Sequence, residues 1–174
     1  MAATELDYFR AIIQANMEPL VKVTEVSELT SLEAKLGSKI WLKREDQQPV
    51  YSFKLRGAYN KLSKLPAGSN VITASAGNHA QGVALSATEL GHHATIVMPL
   101  TTPQIKVDAV RSFGGEVLLH GHHFDAAKAY ALELAQQQGA VFVPPFDDPD
   151  VIVGQGTIAR ELMQQLPELD AVFV

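Results

Sequence analysis

The sequence predicts an α/β fold built on a parallel sheet with helices on both of its faces. Between residues 70 and 143, short runs rich in β-branched residues alternate with longer helical segments, which is the pattern of β-α-β units. Three of the helical segments are each followed by a glycine (Gly91, Gly114 and Gly139), as is typical where a helix ends. We therefore expect about four parallel strands in this span.

Before the sheet, the spacing of apolar residues predicts three helices and one strand. Thr24 or Ser27 could cap the second helix, Gly37 could end it, and Ser52 could cap the third. In chain order the elements are a helix over residues 5–15, a helix through Leu29, Leu32 and Leu36, a strand over residues 39–43 and a helix over residues 52–63.

The sheet region is followed by one more helix, expected over residues 155–166, and by a strand-like ending from Asp170 to Val174. A parallel strand needs a partner, so we expect the chain to be part of a larger domain. A small domain that ends on an edge strand is the alternative. Within the sheet region, the strands are expected at 71–73, 94–98, 116–119 and 140–143, and the helices near 78–90, 103–112, with Pro103 at the start, and 123–138.

The composition argues against several classes of function. The net charge of −5 has the wrong sign for binding a phosphate backbone, so nucleic acid is not an expected partner. The chain has no cysteine, which excludes disulfides and thiolate metal sites. No apolar run approaches the roughly 18 residues that span a bilayer, and the charged first ten residues do not resemble a signal peptide. We expect a cytoplasmic protein that acts on a small molecule and has no membrane partner.

Two segments carry candidate chemistry. Lys54 lies between Phe53 and Leu55 at the start of a predicted helix, where the helix dipole would lower the pKa of its amine and favour a nucleophile. The alternative is a surface lysine whose stem covers apolar residues. The segment Thr73 to Gly82 follows a strand and opens a helix, which is where a parallel sheet binds an anion. Its alternative is a tight turn that needs small residues for packing alone.

Two further patterns are weaker. Residues 154–159 match the degenerate dinucleotide motif G-x-G-x-x-A, but the acidic partner expected about 20 residues later would fall beyond the chain. His120, His122 and His123 could bind zinc, yet no cysteine or suitably spaced carboxylate accompanies them, and exposed loop histidines are the simpler interpretation. No metal site is therefore predicted.

The two main motifs resemble those of the threonine dehydratases (threonine ammonia-lyases), which are pyridoxal-phosphate enzymes of fold type II. The resemblance covers nearly the whole chain, and Gln48-Pro49-Val50 is more similar to the biosynthetic branch than to the catabolic one. The residues that carry it are Leu42 to Asp46, Ser52 to Ala58, Ser75 to Gly82, Lys106 to Arg111, Gly115 to Gly121 and Gly154 to Thr157.

The resemblance implies a role for each matching residue. Lys54 would carry the cofactor, pyridoxal 5′-phosphate, and act as the base, while Phe53 would line the cofactor ring. Asn78 would hydrogen-bond the ring hydroxyl. Residues 75–79 would receive the substrate carboxylate, and Gly154 to Thr157 would open a helix near the cleft, so the dinucleotide interpretation is dropped. The substrate-binding set is then Ser75, Ala76, Gly77, Asn78 and His79.

The implied reaction converts L-threonine to 2-oxobutanoate and ammonia, the first step of isoleucine biosynthesis, and could also convert L-serine to pyruvate. Relatives that racemise serine have a serine where this chain has Ala76, so elimination is expected rather than racemisation. One departure from the family is Thr24-Glu25-Val26, where Thr-Pro-Leu is common.

The resemblance also implies how the chain is organised. Residues 1–174 would be the N-terminal part of a catalytic domain that is truncated before the family's glycine-rich phosphate loop. About 1–65 would be a segment with the cofactor lysine, about 66–166 a small α/β subdomain, and 167–174 the start of a large-subdomain strand. The full-length enzyme would be a homo-oligomer. The alternative is a non-catalytic fragment or pseudoenzyme domain that folds but cannot hold the cofactor.

Overall fold

The computed structural model describes residues 7–174, in which a four-stranded parallel sheet forms the centre. The predicted helix over residues 5–15 is observed from Tyr8, and its first two residues lie outside the described part. The elements are α1 (Tyr8–Gln14), β1 (Val26–Glu28), α2 (Thr30–Leu36), β2 (Trp41–Lys43), a 3₁₀ turn (Glu45–Gln47), α3 (Lys54–Leu62), β3 (Asn70–Ala74), α4 (Asn78–Leu90), β4 (His93–Met98), α5 (Gln104–Ser112), β5 (Glu116–Leu119), α6 (Phe124–Gln138), β6 (Val141–Phe142) and α7 (Pro149–Gln165).

The strand order β5-β4-β3-β6 and its parallel pairing confirm the predicted α/β sheet. Helices cover both faces because the buried side chains alternate along each strand. On one face, Val71 and Ile96 pack against apolar residues of α4 and α5. On the other, Ile72 and Val97 pack against α6, whose alanines allow a close approach (Ala127, Ala131 and Ala135).

Helix ends in the sheet region follow the local signals. Gly91 and Gly139 end α4 and α6 in the left-handed conformation, with φ of 70° and 61°. Gly114 also has a positive φ, but it lies one residue beyond Phe113, which ends α5. Pro103 is the residue that precedes α5 rather than its first helical residue.

The segment before the sheet differs from the prediction in its helix caps and in one additional strand, β1. Ser52 is not the cap of α3, because Phe53 is the residue that precedes this helix, although the Ser52 hydroxyl accepts a hydrogen bond from the Lys54 amide at 3.2 Å. Neither Thr24 nor Ser27 caps α2, because Ser27 lies in β1, which pairs in antiparallel fashion with β2. Thr24 instead donates a hydrogen bond to Glu45 at 2.6 Å. The helix ends at Gly37 as expected, with φ of 68°.

The prediction for the C-terminal helix was wrong at its start. α7 begins at Pro149 and not at residue 155, because Asp148 caps it by accepting hydrogen bonds from Asp150 and Val151. Residues 154–157 therefore lie inside α7 and do not open a helix. Residues 170–174 form no strand among the described residues, since a strand requires a neighbouring strand to pair with. Phe173 is 96% exposed there.

Helix α3 lies between α4 and α7, and glycines set both contacts. A Cβ on Gly82 of α4 would lie 3.3 Å from the backbone of Lys54 and Leu55. A Cβ on Gly154 of α7 would lie 2.7 Å from the backbone of Arg56 and Gly57. The start of α3 is therefore held between two neighbouring helices by backbone contact.

Candidate active site

Lys54 is the first residue of α3, as predicted, and its amine is partly buried. The Nζ atom donates a hydrogen bond of 2.8 Å to the carbonyl oxygen of Pro145, in the loop after β6. It also lies 5.2 Å from the centre of the Phe53 ring. Burial lowers the pKa of the Lys54 amine. A larger fraction of this amine is therefore neutral, and able to attack a carbonyl, than for a fully exposed lysine.

The loop from Ser75 to Gly77 connects β3 to α4 at the carboxyl end of the sheet. The Ser75 amide donates to the Val97 carbonyl at 3.2 Å, and the Ser75 hydroxyl accepts from the Gly77 amide at 3.3 Å. Among the described residues no side chain caps α4, so the amides of its first turn can bind a ligand oxygen. Asn78 is exposed at this point, while Ser75, Ala76 and Gly77 are half-buried.

His79 lies in the same turn but points into the protein, where it is 3% exposed. Its Nε2–H donates to the Val143 carbonyl at 3.1 Å, and its Nδ1 has no hydrogen-bond partner among the described residues. Burial, together with the nearby charge of Lys54, lowers the pKa of His79 to about 4. The side chain is therefore neutral at physiological pH, and only its backbone could face a ligand with the other loop residues.

The two predicted segments meet because β3 and β6 are neighbours in the sheet. The carboxyl ends of parallel strands share one edge, so the loops after Ala74 and after Phe142 lie side by side. α4 contacts the backbone of Lys54 through Gly82. The arrangement brings an amine of lowered pKa to the edge where an uncapped helix begins.

A buried ionic network behind the site was not predicted from the sequence. The fully buried Arg56 bonds to Glu45, at 2.7 Å, and to Glu161, at 2.6 Å, and Lys43 also bonds to Glu161, at 2.6 Å. Burial alone would raise the pKa of Glu45, but hydrogen bonds from Arg56 and Thr24 outweigh it and lower that pKa. Glu45 is therefore part of a buried ion pair and not an exposed charged residue of a loop. Arg56 and Glu45 both lie in the motifs that carry the family resemblance. Their place in these motifs is the sequence signal that could have indicated the network.

The weaker sequence candidates have structural roles. His120 stacks on Tyr130, with ring centres 3.9 Å apart, and His123 caps α6 by accepting a hydrogen bond from Ala126. Within residues 7–174, no group of three or more histidine or acidic side chains is arranged to hold a metal ion. In the same range, no helix is both long and apolar enough to cross a membrane. Phe53 also lines an apolar cavity of about 460 Å³ against α7, which neither Lys54 nor the 75–79 loop borders.

The residues present fit pyridoxal 5′-phosphate. The cofactor is an aldehyde that binds an amine, and the site presents one amine whose pKa is lowered by burial. The amino-acid substrates of such an enzyme carry a carboxylate, and the uncapped start of α4 offers amides to an anion. Lys54 would hold the cofactor covalently, and the Phe53 ring lies beside its amine, with its centre 5.2 Å from Nζ.

Comparison with known proteins agrees with the resemblance. Residues 17–174 match the family model described as pyridoxal-phosphate dependent enzyme. The chain is 56% identical over 174 residues to the L-threonine dehydratase biosynthetic IlvA of Pasteurella multocida, covering 98% of this chain and 34% of that protein. It thus spans about a third of the length of the curated relatives that it matches.

Solved structures show the same fold. The processed form of threonine deaminase isoform 2 from Solanum lycopersicum superposes with a TM-score of 0.90 at 50% identity, covering 93% of this chain and 46% of that one. A serine racemase from maize gives a TM-score of 0.87 at 36% identity, covering 94% and 50%. The chain therefore belongs to the pyridoxal-phosphate dependent enzymes and has the fold of the threonine deaminases among them.

Proposed function

We propose that the protein takes part in the pyridoxal-phosphate dependent deamination of L-threonine to 2-oxobutanoate and ammonia. The observation that carries the proposal is the pairing of Lys54 with the uncapped start of α4, in a chain 56% identical to a biosynthetic threonine dehydratase. The same relationship supports a role in isoleucine biosynthesis.

Each residue has a proposed task. Lys54 holds the cofactor and then moves the α-proton, since burial lowers the pKa of its amine and so favours the neutral form that can accept a proton. The amides of Asn78 and His79 bind the substrate carboxylate together with Ser75, Ala76 and Gly77. Asn78 also presents its side-chain amide to the cofactor ring hydroxyl, and Phe53 packs on the ring. When bound, the cofactor supplies an electron sink that acidifies the α-proton of the amino acid.

L-Serine is the second proposed substrate, with pyruvate as the product. The similarity to a serine racemase supports binding of serine in this site. Ala76 has no hydroxyl that could reprotonate the opposite face of the substrate, so we propose elimination and not racemisation.

The remaining proposals concern the whole protein. We propose that residues up to about 65 carry the cofactor lysine, that residues 66–166 form the small subdomain, and that residues 167–174 lead into a strand of the large one. We also propose a cytoplasmic homo-oligomer. The exposed apolar side chains of Val172 and Phe173 support an interface at this position.

The function can be tested by trapping the cofactor on the protein. The protein is incubated with pyridoxal 5′-phosphate and reduced with borohydride, and the labelled lysine is located by mass spectrometry. We expect the label on Lys54, its loss in Lys54→Ala, and no change in Lys35→Ala, which alters an exposed lysine of α2. Label on another lysine in the unaltered protein would refute the assignment. Formation of 2-oxobutanoate from threonine by the full-length enzyme tests the reaction itself.

A further inference from the structure

Val143, directly after β6, is fixed by three hydrogen bonds. Its amide donates to the Ile72 carbonyl at 2.8 Å, which extends the pairing of β6 with β3. Its carbonyl accepts from the Thr73 hydroxyl at 2.7 Å and from His79 Nε2 at 3.1 Å. Thr73 and Val143 are fully buried, and His79 nearly so. This backbone position is therefore held by both β3 and α4.

The two residues that follow transmit this fixed position to Lys54. Pro144 and Pro145 have no N–H group, and their rings restrict φ, so they form a stiff segment that offers only carbonyl oxygens. The carbonyl of Pro145 accepts the hydrogen bond from Lys54 Nζ at 2.8 Å. Within residues 7–174, Lys54 forms no ion pair with a carboxylate, and the Pro145 carbonyl is the acceptor of its hydrogen bond.

We propose that Thr73 and His79 are positioning residues for the Lys54 amine, acting through the rigid acceptor segment Val143 to Pro145. Neither side chain touches the amine. They fix the position of the Pro145 carbonyl, which accepts the hydrogen bond from the amine. This carbonyl in turn sets the position of the amine before it reacts. The inference rests on the proposed role of Lys54, but the geometry is independent of the cofactor.

His79 suits this task because it is neutral. With the proton on Nε2 donated to Val143, Nδ1 carries none and is the nitrogen that lacks a partner. A second proton would place a charge in a buried position near the Lys54 ammonium, which the pKa of about 4 excludes at physiological pH. The ring therefore stays uncharged at physiological pH, and its single proton is the one that Nε2 donates to Val143.

The test measures how fast Lys54 reacts with acetic anhydride in the cofactor-free full chain, with exposed Lys35 as the internal reference. An ammonium bonded to a carbonyl is held in its charged, unreactive form. Releasing that carbonyl should speed acetylation of Lys54 by about fivefold, the factor that corresponds to one typical hydrogen bond. We expect this rise in Thr73→Val, which removes the hydroxyl but keeps the shape, and not in Thr73→Ser, which retains a donor.

Two variants of His79 provide a second measurement of the acetylation rate if Thr73→Val does not fold. His79→Leu should also speed labelling, whereas His79→Gln, which can place an amide N–H near the Nε2 position, should restore the original rate. Ser86→Ala is the matched control, since it removes a buried hydroxyl on α4 that has no hydrogen-bond partner among the described residues. An equal rise in Ser86→Ala, or unchanged rates in Thr73→Val and His79→Leu, would overturn the proposal.

The acetylation result for Lys54 can be distinguished from a failure of the proposed function. Acetylation is measured without cofactor or threonine, so it reports only on the restraint of the amine. If borohydride trapping places the cofactor on another lysine while Thr73→Val still releases Lys54, the proposed function falls and the restraint stands.

Discussion

The buried guanidinium of Arg56 and the carboxylate of Glu161 form a bidentate pair, with Nη1 2.6 Å from Oε1 and Nη2 3.0 Å from Oε2. Arg56 lies two residues after Lys54 on α3, and Glu161 lies on α7. The pair therefore ties the helix that begins with Lys54 to the helix behind it. A bidentate pair fixes the relative orientation of the two groups in addition to the attraction between their charges.

Removal of Glu161 should destabilise the protein strongly. Glu161→Leu leaves the cations of Arg56 and Lys43 buried and short of a partner, and such losses cost about 3–5 kcal/mol. The free energy of unfolding can be measured in urea. Asp46→Ala is the control, because it breaks the solvent-exposed pair with Arg44 and should have a small effect. Equal losses in the two variants would contradict the importance of burial.

Stability should fall in mild acid because of His79. Its pKa in the folded protein is about 4, below the usual 6.5, so the unfolded chain takes up a proton first as the pH decreases. The free energy of unfolding is therefore at its full value above pH 6.5. Between pH 6.5 and pH 4 it falls by roughly 3 kcal/mol in total because of this group. Urea unfolding across this range should be less dependent on pH in His79→Gln. The same change at the exposed His122 should leave the dependence as it was.

Two glycines on α7 should respond differently to alanine. In Gly154→Ala, the new Cβ meets the backbone of Arg56 and Gly57, which cannot move aside, so we expect a loss of about 1–3 kcal/mol. In Gly156→Ala, the Cβ meets only the side chain of Ile12, which can rotate, and the gain in helix propensity offsets the contact. Thermal unfolding distinguishes the two. A Gly154→Ala protein as stable as the parent would show that α3 and α7 are not in backbone contact.

Residues 1–174 on their own should bind pyridoxal 5′-phosphate weakly and show no deaminase activity. Much of the charge of the cofactor is on its phosphate, and the resemblance implies that backbone amides of a glycine-rich loop outside residues 1–174 hold this group. A cofactor joined only to Lys54 would lack the orientation that is worth about 7–11 kcal/mol in well-placed systems. Equilibrium dialysis and an assay for 2-oxobutanoate provide the measurements. Turnover close to that of a full-length relative would contradict this prediction.

The sheet could be predicted from the sequence because its signals are local. Runs of β-branched residues and glycines after helices lie within a few residues of the elements they define, and α4 has the predicted bounds of 78–90. The start of α7 was missed because Val151 to Val153 is typical of a strand. The correct signal was also local, since Asp148 followed by Pro149 is a usual way to begin a helix.

The site was predictable only in part. The motifs point to Lys54 and to the loop from Ser75 to His79, which stay a prediction, and the structural partners of these residues are distant in sequence. Pro145 follows Lys54 by 91 residues, and Glu161 follows Arg56 by 105. No periodicity or spacing rule connects such positions, because they meet only when the sheet orders its strands. The short strand β1 was missed because three residues carry too weak a pattern.

The distance of Pro145 from Lys54 along the chain also affects how the protein is made. A ribosome that adds about 5–20 residues per second needs roughly 5–18 seconds to synthesise the 91 residues between them. During that interval the nascent chain carries the lysine without the carbonyl that restrains it. The Lys54 amine therefore gains its hydrogen-bond acceptor only after β6 has joined the sheet.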